Sequence, residues 1–138
     1  MDEQINVNNV DKPMLLNIDN VTRSNNFYRK EIWTEKHLQL TVMSIPVRGE
    51  IGLELHNDTD QFLRIEYGLA AVYFGETKQN VKFIGNANQN YAILIPAGTW
   101  HNIINIGNVP LKLYSLYAPP HHPKGTVHKT KFDSDIAE

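Results

Sequence analysis

Two short stretches gather metal-capable side chains at borders between extended runs and turns: HNDTDQ, residues 56–61, and PAGTWHNIIN, residues 96–105. Together they offer the imidazoles of His56 and His101, the carboxylate of Asp58 and the amide oxygen of Gln61. Such a mixed nitrogen and oxygen set suits one divalent ion, with manganese, iron, nickel and zinc all chemically possible. In the run Glu50 to Asp58, a strand's alternation puts Ile51, Leu53 and Leu55 on one face. Gly52, Glu54, His56 and Asp58 fall on the other. Glu54 therefore shares a side with His56, as a general base, as the partner of a ligating imidazole, or as a solvated charge. Pro96 and Gly98 make a turn that feeds His101 into a new strand beside Trp100 and Ile103. One histidine there would be a satisfied core residue. Two, each at a strand border beside a turn, point to a shared ion.

These stretches need a scaffold that brings them face to face. Strand signals recur at Phe27–Trp33, His37–Ile45, Glu50–Leu55, Phe62–Tyr67 and Leu69–Phe74, then at Val81–Ile84, Tyr91–Ile95, Ile103–Ile106 and Leu111–Tyr117. Turn-formers separate them: PVRG, NDTD, GNANQN, PAG and GNVP. No apolar spacing of 3.6 residues persists for three turns, so the pattern predicts an all-β sandwich or barrel. Residues 13–18 are expected as a short strand, and residues 19–26 as a helical turn capped by Asp19. Leu63, Ile65 and Tyr67 share the parity of Gln61, as Ile103 does that of His101; Arg64 should face away. Residues 1–12 read as a loose arm. The tail after Ala118, with HHPKGTVH at 121–128, reads as an exposed loop, with a lid over the barrel mouth as the alternative.

A length of 138 residues fits a single domain with its own core. The net charge of -2 gives no footprint for nucleic acid or anionic lipid. No run of about 18 apolar residues predicts a membrane span. The acidic, polar start MDEQINV does not read as a secretory signal, which leaves the cytoplasm as the default compartment. With no cysteine, disulfides and thiolate ligands are excluded.

The residues around the two stretches resemble the cupin family. Its second motif, G-x5-P-x-G-x2-H-x3-N, is matched from Pro96 to Asn105, with Asn90 in place of the leading glycine. The first, G-x5-H-x-H-x3,4-E-x6-G, is degenerate. With His56 as the first histidine, Asp58 stands at the second and Gln61 at the glutamate, and Gly68 follows Gln61 at the family's spacing. The resemblance covers roughly residues 27–118. It implies a cupin β-barrel, or double-stranded β-helix of jelly-roll type. It also implies a divalent metal held by His56, Asp58, Gln61 and His101, with Asp58 either a ligand or an orienting group. A homodimer is expected, built on edges offered by Phe27–Trp33 and His37–Ile45.

Three functions stay open on the sequence. The first is an enzyme acting on a small polar molecule, by isomerase, lyase or dioxygenase chemistry, with Glu54 as the candidate catalytic group. The second is a small-molecule-binding module without turnover. The third is a structural cupin with a vestigial pocket.

Overall fold

The computed structural model describes residues 12–137. Residues 1–11, and with them nearly all of the expected loose arm, lie outside the described residues. Nine strands form two antiparallel sheets: β1 (Arg29–Thr34), β2 (Gln39–Ile45), β3 (Asp60–Tyr67), β4 (Ala70–Gly75), β5 (Lys82–Ala87), β6 (Ala92–Ile95), β7 (Trp100–Asn105), β8 (Leu111–Ala118) and β9 (Val127–His128). Among the described residues, helices are limited to α1 (Ile18–Ser24), α2 (Lys131–Ala137) and a 3-10 turn at Lys78–Asn80. The larger sheet has the order β6-β3-β8-β2-β1-β9, the smaller β5-β4-β7. The predicted all-β jelly-roll class holds, as two packed sheets without a closed ladder of hydrogen bonds.

Alternation decides where the core sits. In the larger sheet Met43, Ile45, Leu63, Ile65, Leu111 and Leu113 point inward and meet Ala70, Val72 and Ile103 of the smaller sheet. The same inward parity continues along β2, β3 and β8 into Gln39, Thr41, Gln61, Ser115 and Tyr117, all buried. The interior is therefore apolar at one end and polar at the other. Cross-strand register lines up Gln39, Tyr117 and Gln61 in one row at the polar end. Along β7 the inward residues are His101, Ile103 and Asn105, so His101 enters the interior beside Ile103.

Several local expectations are corrected. Residues 13–18 form no strand. Their alternation instead places Met14, Leu16 and Ile18 against Val21, Leu40 and Val42, on the outer face of the larger sheet. Helix α1 begins at Asn17, whose side chain accepts from the amide of Asn20 at 3.0 Å; Asp19 lies inside the first turn and pairs with Arg23 at 2.7 Å. A register shift between Ile65 and Tyr67 reverses the parity of β3's end, leaving Tyr67 exposed and Glu66 buried. Arg64 does face outward, donating to Asn90. Asn90 has φ 77°, the left-handed conformation that asparagine tolerates in the place of a glycine.

The expected edges are not edges. Strand β2 is central, and β1 is covered by β9; the sheet instead ends at β6 and β9. The tail is also more built than its composition suggests, since residues 127–128 pair with β1 and residues 131–137 form α2.

Candidate metal centre

The segment from Glu50 to His56 runs beside β7 without becoming a regular strand. Isolated bridges join Glu50 to Ile104 and Glu54 to His101. The side chain of Asn102 fastens the segment, donating to Glu50 at 2.8 Å and accepting from the amide of Gly52 at 2.9 Å. Gly52 has φ +102°, and this left-handed residue breaks the simple alternation. Ile51 is buried while Leu53 is exposed, contrary to the expected shared face. Beyond the glycine, alternation resumes with Glu54 and His56 turned toward His101.

The backbones of Glu54 and His101 exchange two hydrogen bonds of 3.0 Å each, making them a directly opposed pair. Glu54 Oε2 lies 3.2 Å from His101 Nε2 and 3.4 Å from His56 Nε2. Side-chain exposure is 2% for His101, 7% for His56 and 23% for Glu54, so the cluster is mostly withdrawn from water. Each of the three offers a ligand atom within 4.8 Å of the others.

The proton arrangement tests whether a cation belongs there. His101 Nδ1 lies 2.9 Å from the carbonyl oxygen of Thr99, which can only accept, so Nδ1 carries the hydrogen. In the neutral ring, Nε2 is then a bare lone pair facing a carboxylate oxygen. His56 Nε2 is buried and has no hydrogen-bond partner. A lone pair facing a carboxylate oxygen in this way needs a proton or a metal ion between them. Donor atoms around an ion with bonds of about 2.1 Å sit on the order of 3.0–3.4 Å apart in octahedral or tetrahedral sites. The spacings from Glu54 match that range. Burial would raise the Glu54 carboxyl, but the two imidazoles beside it outweigh burial and hold it well below the usual carboxylate range.

Of the residues singled out in the sequence, His56 and His101 come together, and Glu54 joins them. Asp58 does not. The extended segment ends at His56, and Asp58 sits exposed in the turn that follows, outside the cluster. Gln61 is buried with its Oε1 unpartnered, its amide nitrogen reaching Ser115 at 3.4 Å. It stands beside Tyr117, whose ring is 6.0 Å from that of His56. Trp100 is half-buried, with the Lys78 ammonium 5.9 Å from its ring centroid.

The geometry also resets the first motif. With Glu54 and His56 as the paired positions, four residues separate His56 from Gln61 and six separate Gln61 from Gly68. Both spacings fit the cupin pattern. That regular spacing was the available signal for Glu54.

The histidine-rich arm, read from the sequence as an exposed loop in preference to a lid, lies against the site. His121 stacks on Tyr117 and lies 4.1 Å from His56 by ring centroid, and His122 is 4.6 Å from His121. Glu54, Leu55, His56, His121, His122 and Pro123 line a cavity of about 360 Å³.

No protein-family model matches the chain. A crystal structure of BH2720 from Bacillus halodurans is 52% identical, with TM-score 0.89 over 91% of this chain and 95% of that one. The cupin domain of Schizosaccharomyces pombe Cnp3 aligns with TM-score 0.57 at 19% identity, over 65% of this chain and 62% of that one. The chain has a cupin fold. Among curated proteins, this cupin is 54% identical to the uncharacterised YrkC of Bacillus subtilis, over 92% of its own length and 68% of YrkC's. It is 38% identical to the uncharacterised L612 of Acanthamoeba polyphaga mimivirus, over 88% and 74% of the two chains, and belongs to one family with both. Bacillus subtilis oxalate decarboxylase, described as having Mn(II) centres, shares the fold at TM-score 0.56 and 14% identity, over 69% of this cupin and 24% of that chain.

Proposed function

We propose that this cupin holds one divalent ion through Glu54, His56 and His101 and acts as an enzyme on a small polar molecule in the adjoining cavity. The carrying observation is the bare Nε2 of His101, its other nitrogen engaged by Thr99, set against Glu54 and an unpartnered His56. Gln61, with its buried free Oε1, is the candidate fourth donor. Glu54 thus changes role, from the general base weighed on the sequence to an anionic ligand, and Asp58 leaves the set. A bound ion would supply Lewis acidity, polarising an oxygen of the ligand.

The chain's own residues do the rest. Thr99 fixes the ring of His101 and its tautomer. Tyr117, its phenol pushed up to about 12 by burial, stays protonated and walls the site beside His56. His121 and His122 line the cavity beside Glu54 and His56.

Metal analysis of protein purified without a histidine tag, followed by anomalous diffraction, tests the site. Manganese is the first ion to supply, given the similarly folded oxalate decarboxylase. Turnover that needs added metal separates the enzyme from a binding module, and metal-free protein with no affinity for manganese, nickel or zinc returns the structural reading to the lead. The homodimer remains part of the proposal, with the free edge β6, where Leu94 is 65% exposed, replacing the covered β1 and β2. A monomeric mass by light scattering at micromolar concentration counts against it.

A further inference from the structure

The arm that follows β8 is fastened independently of the metal cluster. Gln39 is fully buried at the start of β2, and its side-chain amide clamps two successive residues of the arm. Its nitrogen donates to the carbonyl of His122 at 2.7 Å, and its oxygen accepts from the amides of His121 and His122 at 3.1 and 2.9 Å. Further along, Glu31 accepts from the amide of Gly125 at 2.9 Å, and its own amide donates to Thr126 at 2.8 Å. Backbone held by a buried amide at three points is a wall, not a loose tail.

This wall presents an unsatisfied group. His122 is only 9% exposed and lines the 360 Å³ cavity together with Glu54 and His56. Its Nε2 is buried with no hydrogen-bond partner. A polar nitrogen left in that condition has lost its water without a replacement, a penalty that a hydrogen-bonding ligand atom can recover. The cluster itself explains nothing about it, because His122 is not among the residues that converge there.

Charge narrows the class of ligand. A divalent ion with Glu54 as its one anionic donor keeps a net positive charge. Behind the arm, Arg29 is 3% exposed, bonds His128 and Ser134, and forms no ion pair with a carboxylate among the described residues. Glu54 is the one carboxylate lining the cavity, so a divalent ion there and the guanidinium of Arg29 together leave the arm's surroundings net positive.

Resting on the metal reading above, we propose that His122 is a ligand-binding residue of this site. It takes the end of a small oxygen-donor monoanion, of carboxylate or hydroxycarboxylate type, whose other end meets the ion. Gln39 is the positioning residue that holds His122 there.

Glycolate is the probe, its uncharged analogue glycolamide the comparator, and calorimetry on manganese-loaded protein the measurement. His122→Phe keeps a ring and removes both nitrogens. It should leave manganese affinity within about twofold and weaken glycolate about tenfold, the loss of one hydrogen bond. His122→Asn, still able to hydrogen-bond, should stay within about threefold for glycolate, which guards against a merely structural effect of the bulkier variant. Glycolamide should bind the wild type more weakly than glycolate. In manganese-loaded crystals soaked with glycolate, an oxygen should lie within hydrogen-bond distance of His122 Nε2. Equal glycolate affinity in wild type and His122→Phe overturns the role of His122 while leaving the metal site standing. Glycolamide binding as tightly as glycolate, or no glycolate binding at all, overturns the ligand class. Failure of the wild type to take up manganese shows instead that the underlying metal reading is wrong, and this inference falls with it.

Discussion

The two stretches that build the centre differ in how they are held. Residues 100–105 are a regular strand, paired with β4 through six registered partners, and the strand's alternation alone sends His101, Ile103 and Asn105 inward. Residues 49–56 are an irregular segment, tied by two isolated bridges, an Asn102 side chain and a left-handed Gly52. The first stretch positions its ligand by ladder geometry. The second does so by borrowing the first, since Glu54 is aimed by its bridge to His101. A motif on a strand keeps its meaning when read as a line of text; one beside a kink does not.

The difference is breakable in order of effect. His101→Ala removes the residue on which both stretches converge, and calorimetry with manganese, nickel and zinc should show affinity falling by at least ~100-fold. His121→Ala should leave metal binding nearly intact. Equal affinity in wild type and His101→Ala would mean the centre lies elsewhere.

Glu54→Gln sharpens the comparison within the irregular segment. It keeps the shape and removes the one anionic donor, so affinity should drop about 10- to 100-fold, while Asp58→Asn should change nothing measurable. The reverse pattern would restore the ligand set expected from the sequence. Gln61→Glu should tighten binding by several-fold by adding an anionic donor.

The glycines provide a stability test. Gly52 has φ +102° and Gly98 φ +86°, and a Cβ at either meets nothing closer than 3.4 Å. The cost of alanine is therefore backbone strain, about 1–2 kcal/mol at each site. Gly85→Ala, with open space and no left-handed backbone, should stay within roughly 0.5 kcal/mol. Urea midpoints of the three variants decide it.

A further comparison is in acid. Burial, and then the charge of Arg29, lower the pKa of His122 from 6.5 to about 3. Between those values the unfolded chain binds a proton there and the folded protein does not, so stability is lost as pH falls from 6.5 toward 3. His122→Phe removes this contribution. Its urea midpoint should decline less over that window than the wild type's, and parallel curves would show that His122 is more open than its burial implies.

Eight of the nine strands, the all-β class and the inward faces of β3 and β7 follow from alternation and turn residues, because side-chain direction in a strand has a period of two. His101 was legible for that reason. Alternation fails where the backbone stops being regular. The register shift before Tyr67 and the conformation of Gly52 each reverse a parity, and no local signal in the one-dimensional pattern marks them. The placement of Glu54 needed its cross-strand partner. The place of the arm needed Gln39, 83 positions before His122 in sequence, because a polar loop becomes a wall only when a distant buried amide satisfies its backbone. The sequence determined which side chains the protein has for its chemistry; the tertiary structure decided which of them share one space.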